Sequence, residues 1–237
     1  MKKVKTSEYV NTMQDYYDKL EEQEDRFAKL EIETEELKDV KMMKIPIFRQ
    51  AHDFTCGVAC VQSALRYAGY DFDTREDRLL KKLGSTPDDG TDHKKIAEFL
   101  KSVTYQEEEV FTNLEWESFS DEDGRILIEK LEGVLVLYKK PVMCIIQAWN
   151  SSGEYSEKVN KDGHYVIAVG TARNSAGKKC IIFMDPSTSG GYTYMTEDEF
   201  KIRWHDADGD TVYKCYGLVL NYKYIPKYKE STFYKLG

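Results

Sequence analysis

Helices first and strands afterwards predict an α+β domain. Two observations carry the prediction. Apolar residues recur at helical spacing up to about residue 140, and from Pro141 onward the apolar runs become β-rich and are bounded by Gly, Asn, Asp and Ser. No internal repeat or low-complexity tract argues for a solenoid or a linker.

The 237 residues suffice for one sizeable core, or one core plus an appendage. With 41% hydrophobic and 32% charged residues, most of the chain should fold as a soluble globular domain. The net charge of −8 argues against nucleic acid or an anionic membrane surface as the main partner, because phosphate binding needs a basic face. No run has the length of a membrane span, and the basic start "MKKVK" lacks the apolar stretch of a secretory signal. A cytoplasmic location is the expectation. Five cysteines, an odd number without CxxC, make a poor disulfide framework and read as reduced thiols. The four histidines form no zinc-type spacing with them.

Residues 1–40 differ from the rest. They hold twelve acidic and seven basic residues, so five of the eight net negative charges fall here. Met13, Leu20 and Phe27 recur every seven positions, joined by Tyr16, Leu30 and Leu37 and interrupted by Gln23 and Thr34. This spacing predicts a charged amphipathic helix from about Thr6 to Lys38. It could lie on the main domain, self-associate as a short coiled coil, or act as a removable segment covering a site. Residues 41–237 then form the folded domain.

Within that domain "MMKIPIF" reads as an entering strand and "CGVACVQSALRYAGY" as a helix with the stripe Val58, Val61, Leu65 and Ala68, stopped at Gly69. "TREDRLLKKLG" predicts a helix ending at Gly84, and "TDHKKIAEFLKS" one capped by Thr91 or Asp92. An acidic, irregular stretch follows, and then "RILIEKLEGVLVLYKK" as a fourth helix. The strands are "PVMCIIQAW", "GHYVIAVGTAR", "KKCIIFMDP", "GGYTYMT" and "TVYKCYGLVLNYKYI", with "NSAG" as a hairpin loop and "TEDEFKIRWH" as a short helix before the last.

Four residues could carry chemistry. Cys56 stands where a loop becomes a helix, so unpaired N–H groups and the positive dipole end favour its thiolate. Gly57 should leave its approach unobstructed. Taken alone, such a cysteine is more often a small buried residue, as Cys60 one turn on is expected to be. His164 opens the apolar run "HYVIAVG", which would hold its ring rigidly at a strand mouth. Asp185 closes the next run, "CIIFMDP". If the two runs form a hairpin, Asp185 lies beside His164, placed to orient the imidazole. Gln50, six residues before Cys56, offers an amide that could bind an oxyanion together with the Cys56 N–H. His52, His93 and His205 lack these settings and read as surface, loop-packing or helix-end residues.

"QAHDFTCGVAC", "LGSTPDDGTDHKKIAEFLKS", "GHYVIAVG" and "FMDPS" together resemble the bacteriocin-processing, double-glycine-leader cysteine peptidases, and most of all their free-standing members. The chain shows no GxxxxGK[ST] and so lacks the ATP-binding part of the exporters of that family. The resemblance spans about residues 44–222 and implies a papain-like fold. It makes Cys56 the nucleophile, His164 the base, Asp185 the orienting acid and Gln50 the oxyanion donor. Thr55 stands where an aspartate is common, and contributes no catalytic group in this reading.

The implied activity is hydrolysis of a peptide or protein substrate through a thioester, with no metal or organic cofactor. An amidase or acyltransferase of the same fold, or a non-catalytic peptide-binding module, would share much of the pattern.

Overall fold

The computed structural model describes residues 37–70, 74–148, 154–155, 163–187, 192–208 and 211–223. All but the last two residues of the amphipathic helix expected from about Thr6 to Lys38, its self-association, and most of the loop before His164 lie outside the described residues. Contacts divide the chain into two compact units, and every described element belongs to the larger, Glu36–Ala148 with Ser156–Gly237. Among the described residues no helix is long and apolar enough to cross a membrane.

The elements run β1 (Lys38–Met42), α1 (Cys56–Tyr67), α2 (Glu76–Leu83), α3 (His93–Lys101), β2 (Thr104–Tyr105), β3 (Glu108–Glu109), β4 (Trp116–Ser118) and α4 (Ile128–Glu132). They continue with β5 (Val142–Gln147), β6 (Gly163–Arg173), β7 (Lys179–Met184), β8 (Tyr192–Thr196), α5 (Glu197–Arg203), β9 (His205–Asp208), β10 (Thr211–Lys214) and β11 (Tyr216–Val219). The main sheet is antiparallel, ordered β4-β11-β5-β6-β7-β8, with β1 also paired to β6.

β6 is the central strand, and its alternation builds two cores. Tyr165, Ile167 and Val169 face a cluster with Val58, Val61 and Leu65 of α1, while Val166 and Ala168 face one with Phe183, Phe200 and Trp204. Burial on both faces explains why "HYVIAVG" is continuously apolar rather than alternating. The three N-terminal helices stop and start where local chemistry dictates. Gly69 and Gly84 take positive φ, 87° and 61°, just past α1 and α2. The Asp92 carboxylate accepts the Lys94 N–H at 2.7 Å to cap α3.

Three elements differ from the sequence reading. The entering strand is Lys38–Met42, not 42–48: Lys38, the last residue of the expected helix, pairs with Arg173 of β6, and after an irregular step Lys41 and Met42 pair with Thr171 and Gly170. Pro46, lacking an N–H, favours the extended, unpaired chain that follows. The fourth helix is short, because Gly133 and the β-branched Val134 and Val136 disfavour α geometry; a π-helical turn, Gly133–Leu137, replaces its second half. The last strand breaks at Cys215, whose φ is 54°, into β10 and β11. β10 turns away to pair with β9, an element the sequence reading had merged into a helix end.

Candidate active site

Cys56 is the first residue of α1 and is 7% exposed. The first bond of the helix runs from the Ala59 N–H to the Thr55 carbonyl, and no side chain caps the N-terminus. The leading N–H groups, that of Cys56 among them, therefore keep their partial positive charge at the thiol. Thr55 would be the expected cap, but its hydroxyl is turned backwards. Oγ1 accepts the His52 N–H at 3.1 Å and donates to the His52 carbonyl at 3.0 Å.

His164 is the second residue of β6, paired with Ile146 of β5. Asp185 directly follows β7, and the hairpin register, with Ile167 opposite Met184, returns it to the start of β6. His164 Nε2 and Asp185 Oδ1 are 2.9 Å apart and both residues are buried. With Nε2 committed to Asp185, the remaining ring nitrogen is Nδ1, and Cys56 lies close enough to act on the ring's proton affinity. Burial alone would pull the imidazole's pKa down. The Asp185 charge and hydrogen bond, with the neighbouring Cys56, outweigh it and push His164 up to about 10. Burial acts on Asp185 in the raising direction, but the His164 charge and hydrogen bonds hold it below its ordinary value.

Two of those hydrogen bonds come from Ser187, whose N–H and hydroxyl donate to Asp185 Oδ1 at 2.9 and 2.8 Å. Ser187 carried a sequence signal that went unread: an aspartate bonding the N–H two residues on is an Asx turn, and "DPS" suits one.

Gln50 reaches the site through the loop that carries it. Its N–H donates to the Pro186 carbonyl at 3.0 Å, next to Asp185. Its Nε2 donates to the His52 carbonyl at 3.0 Å, and its Oε1 is buried without a hydrogen-bond partner among the described residues. The Ala51 N–H donates to the Glu76 carboxylate, 3.1 and 3.2 Å from its two oxygens. Asp185 is thus bonded to His164, Cys56 acts on the same ring, and Gln50 sits on a loop bonded to the residue after Asp185.

Cys60 is fully buried, its thiol donating to the Tyr165 carbonyl at 3.4 Å, as a packing residue should. Burial, with the neighbouring Cys56 next in weight, pushes its pKa well up. His52 stacks on Phe54 at the surface, with centroids 5.5 Å apart. Two further expectations need correction. His93 is buried at the start of α3 between Trp116 and Tyr213, with centroids 5.8 and 4.6 Å away. Gly57 is not an open approach either. A Cβ there would stand 2.8 Å from Thr91 Cβ and 3.2 Å from Tyr165 Cδ2, so the glycine is demanded by close packing. His205 belongs to β9, where its carbonyl accepts the Gln147 side-chain amide at 2.9 Å. A separate cavity of about 440 Å³ between Glu117, Tyr138 and Asn221 contains none of the four candidate residues.

The model of the Peptidase_C39 like family matches residues 42–212. The chain belongs to that family. No curated protein matches this C39-like chain. Among solved structures, one similar chain is a double glycine motif protease from an AMS/PCAT transporter in complex with the leader peptide. It is 17% identical, the match covers 78% of this chain and 97% of that one, and the TM-score is 0.46. Another is the peptidase domain of Streptococcus ComA, a bifunctional ABC transporter of a quorum-sensing pathway. That chain is 16% identical, with 75% and 98% covered and a TM-score of 0.45. The α+β class expected from the sequence is the architecture observed, and this C39-like chain sets its cysteine on the first long helix and its histidine and aspartate on the sheet.

Proposed function

We propose that this C39-like protein is a cysteine peptidase that cleaves a peptide bond through Cys56, His164 and Asp185. The observation that carries the reading is the buried His164–Asp185 pair, 2.9 Å apart, with Cys56 at the start of α1 near enough to act on the same ring. His164 takes the thiol proton and Asp185 stabilises the resulting imidazolium. The Cys56 sulfur attacks the amide carbon, and the oxyanion is held by the Cys56 N–H and the Gln50 amide. As the C–N bond breaks, His164 returns the proton to the leaving amine. Water, deprotonated by His164, then hydrolyses the thioester. The substrate is a peptide or protein, and a reducing, cytoplasmic setting suits five cysteines of which none is in a disulfide.

The test is thiol alkylation below neutral pH, followed by mapping of the labelled site. Selective labelling of Cys56, lost in His164→Ala, is the expected result. Equal, sluggish labelling of all five cysteines overturns the reading. An amidase or acyltransferase would share every step up to the thioester. A peptide library offered with and without amine acceptors separates them, since acyl–amine adducts in preference to hydrolysis reject the peptidase.

A further inference from the structure

We infer that Thr55, which the catalytic reading leaves without a task, is the positioning residue of the oxyanion site. The inference rests on the peptidase reading above. Thr55 is fully buried, and its position before the helix suggests an N-cap, yet its side chain makes no capping bond. Its N–H and its hydroxyl are both bonded to one residue of the preceding turn. Thr55 N–H and Oγ1 both donate to the His52 carbonyl at 3.0 Å, and Oγ1 accepts the His52 N–H at 3.1 Å.

That same carbonyl is the acceptor for Gln50 Nε2, at 3.0 Å. Among the described residues it is the single hydrogen bond made by the Gln50 side chain, whose Oε1 has no partner there. One amide hydrogen of Nε2 is fixed by His52 and the second is left for an oxyanion. The direction of that second hydrogen depends on where the His52 carbonyl stands, and Thr55 sets it. Thr55 is also the residue bonded covalently to Cys56, so one buried hydroxyl ties the turn under the amide donor to the start of the nucleophile helix. Because the hydroxyl bonds the His52 turn it does not cap the helix, so a valine at 55 leaves the N–H groups at Cys56 uncapped just as the threonine does.

A group acting only through Gln50 must affect oxyanion binding without affecting thiol activation. Two probes separate these. The peptide aldehyde acetyl-Gly-glycinal forms a hemithioacetal whose oxygen needs the oxyanion site, whereas iodoacetamide needs only an activated Cys56. Thr55→Val should weaken the aldehyde roughly 10- to 100-fold, the range for a displaced oxyanion donor. Thr55→Ser, which keeps the hydroxyl, should restore binding. The iodoacetamide rate at Cys56 should stay within about twofold in both, as expected for a group with no part in thiol activation. In a Gln50→Ala background, Thr55→Val should add less than about a twofold further loss, since the two groups act as one unit. Should the valine fail to fold, Thr55→Ala puts the same question. Losses that multiply in the double variant, a serine that does not rescue, or an alkylation rate that falls with aldehyde affinity each overturn the positioning role. A wild-type protein that neither binds the aldehyde nor alkylates selectively at Cys56 overturns the peptidase reading itself.

Discussion

The backbone N–H of Gln50 donates to the carbonyl of Pro186 across 3.0 Å, joining the loop before the nucleophile to the residue after Asp185. The loop bearing Gln50 and the turn bearing Asp185 are therefore one mechanical unit, although 136 positions separate Gln50 from Pro186 in sequence. A disturbance of the Asp185 turn will reach Gln50 without passing through the imidazole.

Asp185→Asn keeps an oxygen that can accept from Ser187 but removes the charge beside His164. Amide hydrolysis should fall at least about tenfold, because the ring loses its orienting and charge-stabilising partner. The folded structure should persist, so circular dichroism close to wild type with low turnover is the expected pair of results. Turnover within about twofold of wild type would remove Asp185 from the mechanism.

The pH dependence follows from the directions of the two shifts. His164 is raised to about 10 from an ordinary 6.5, so its contribution to stability is full below about 6.5 and is lost as pH rises through about 10. Asp185 is lowered from 3.8, so its contribution is present above that value and is lost as pH falls below it. The gap in urea midpoint between wild type and Asp185→Asn should therefore be widest from about pH 4 to 6.5 and should narrow towards pH 10. A gap that grows with rising pH would contradict the ion pair.

Gly57→Ala must force Thr91 or Tyr165 aside, and both are held: the Tyr165 hydroxyl donates to the Thr91 carbonyl at 2.8 Å, and Thr91 Oγ1 lies 2.7 Å from Ser85 Oγ. Overpacking of this kind costs about 1–3 kcal/mol. Because the strain falls at the residue beside Cys56, selective alkylation should slow along with the loss of stability. A thermal midpoint and alkylation rate equal to wild type would show that the packing yields freely.

Trp204 anchors the core on the far face of the sheet. It is 1% exposed, lies 4.5 Å from the Phe200 ring centroid and 5.4 Å from that of Phe119, and donates its indole N–H to the Tyr216 carbonyl at 2.8 Å. Trp204→Ala should cost about 3–5 kcal/mol in chemical denaturation. At low denaturant, where the variant is still folded, Cys56 should retain its alkylation rate, since the cavity opens on the other side of β6.

Much of this was legible in the sequence because it depends on local rules. The alternation and length of "GHYVIAVGTAR" and "KKCIIFMDP", with a turn between them, fix a hairpin. A hairpin brings the start of one strand beside the end of the next, and so Asp185 beside His164. The glycine stops at Gly69 and Gly84 follow from φ alone. What escaped depends on contacts between distant segments. Nothing near Gly57 reveals that Thr91 and Tyr165 close over it, and nothing near His93 shows that Trp116 and Tyr213 bury it. The bonds of Thr55 were not legible either, because the His52 turn competes with the helix N-terminus for the same hydroxyl. Cys215 escaped for a different reason: a non-glycine residue at positive φ leaves no mark in composition, and only the bonds from its N–H to Trp204 and from Phe119 to its carbonyl hold it there.

Burial is distributed unevenly over the thiols, and that has a practical use. Cys60, Cys144 and Cys180 have no exposed surface and Cys215 has 3%, against 7% for Cys56. The native molecule buries all five sulfhydryls, Cys56 the least completely, while the unfolded chain exposes all five to a reagent. The number of equivalents consumed is therefore a stoichiometric gauge of the native fraction, readable by mass spectrometry in any preparation before a substrate is known.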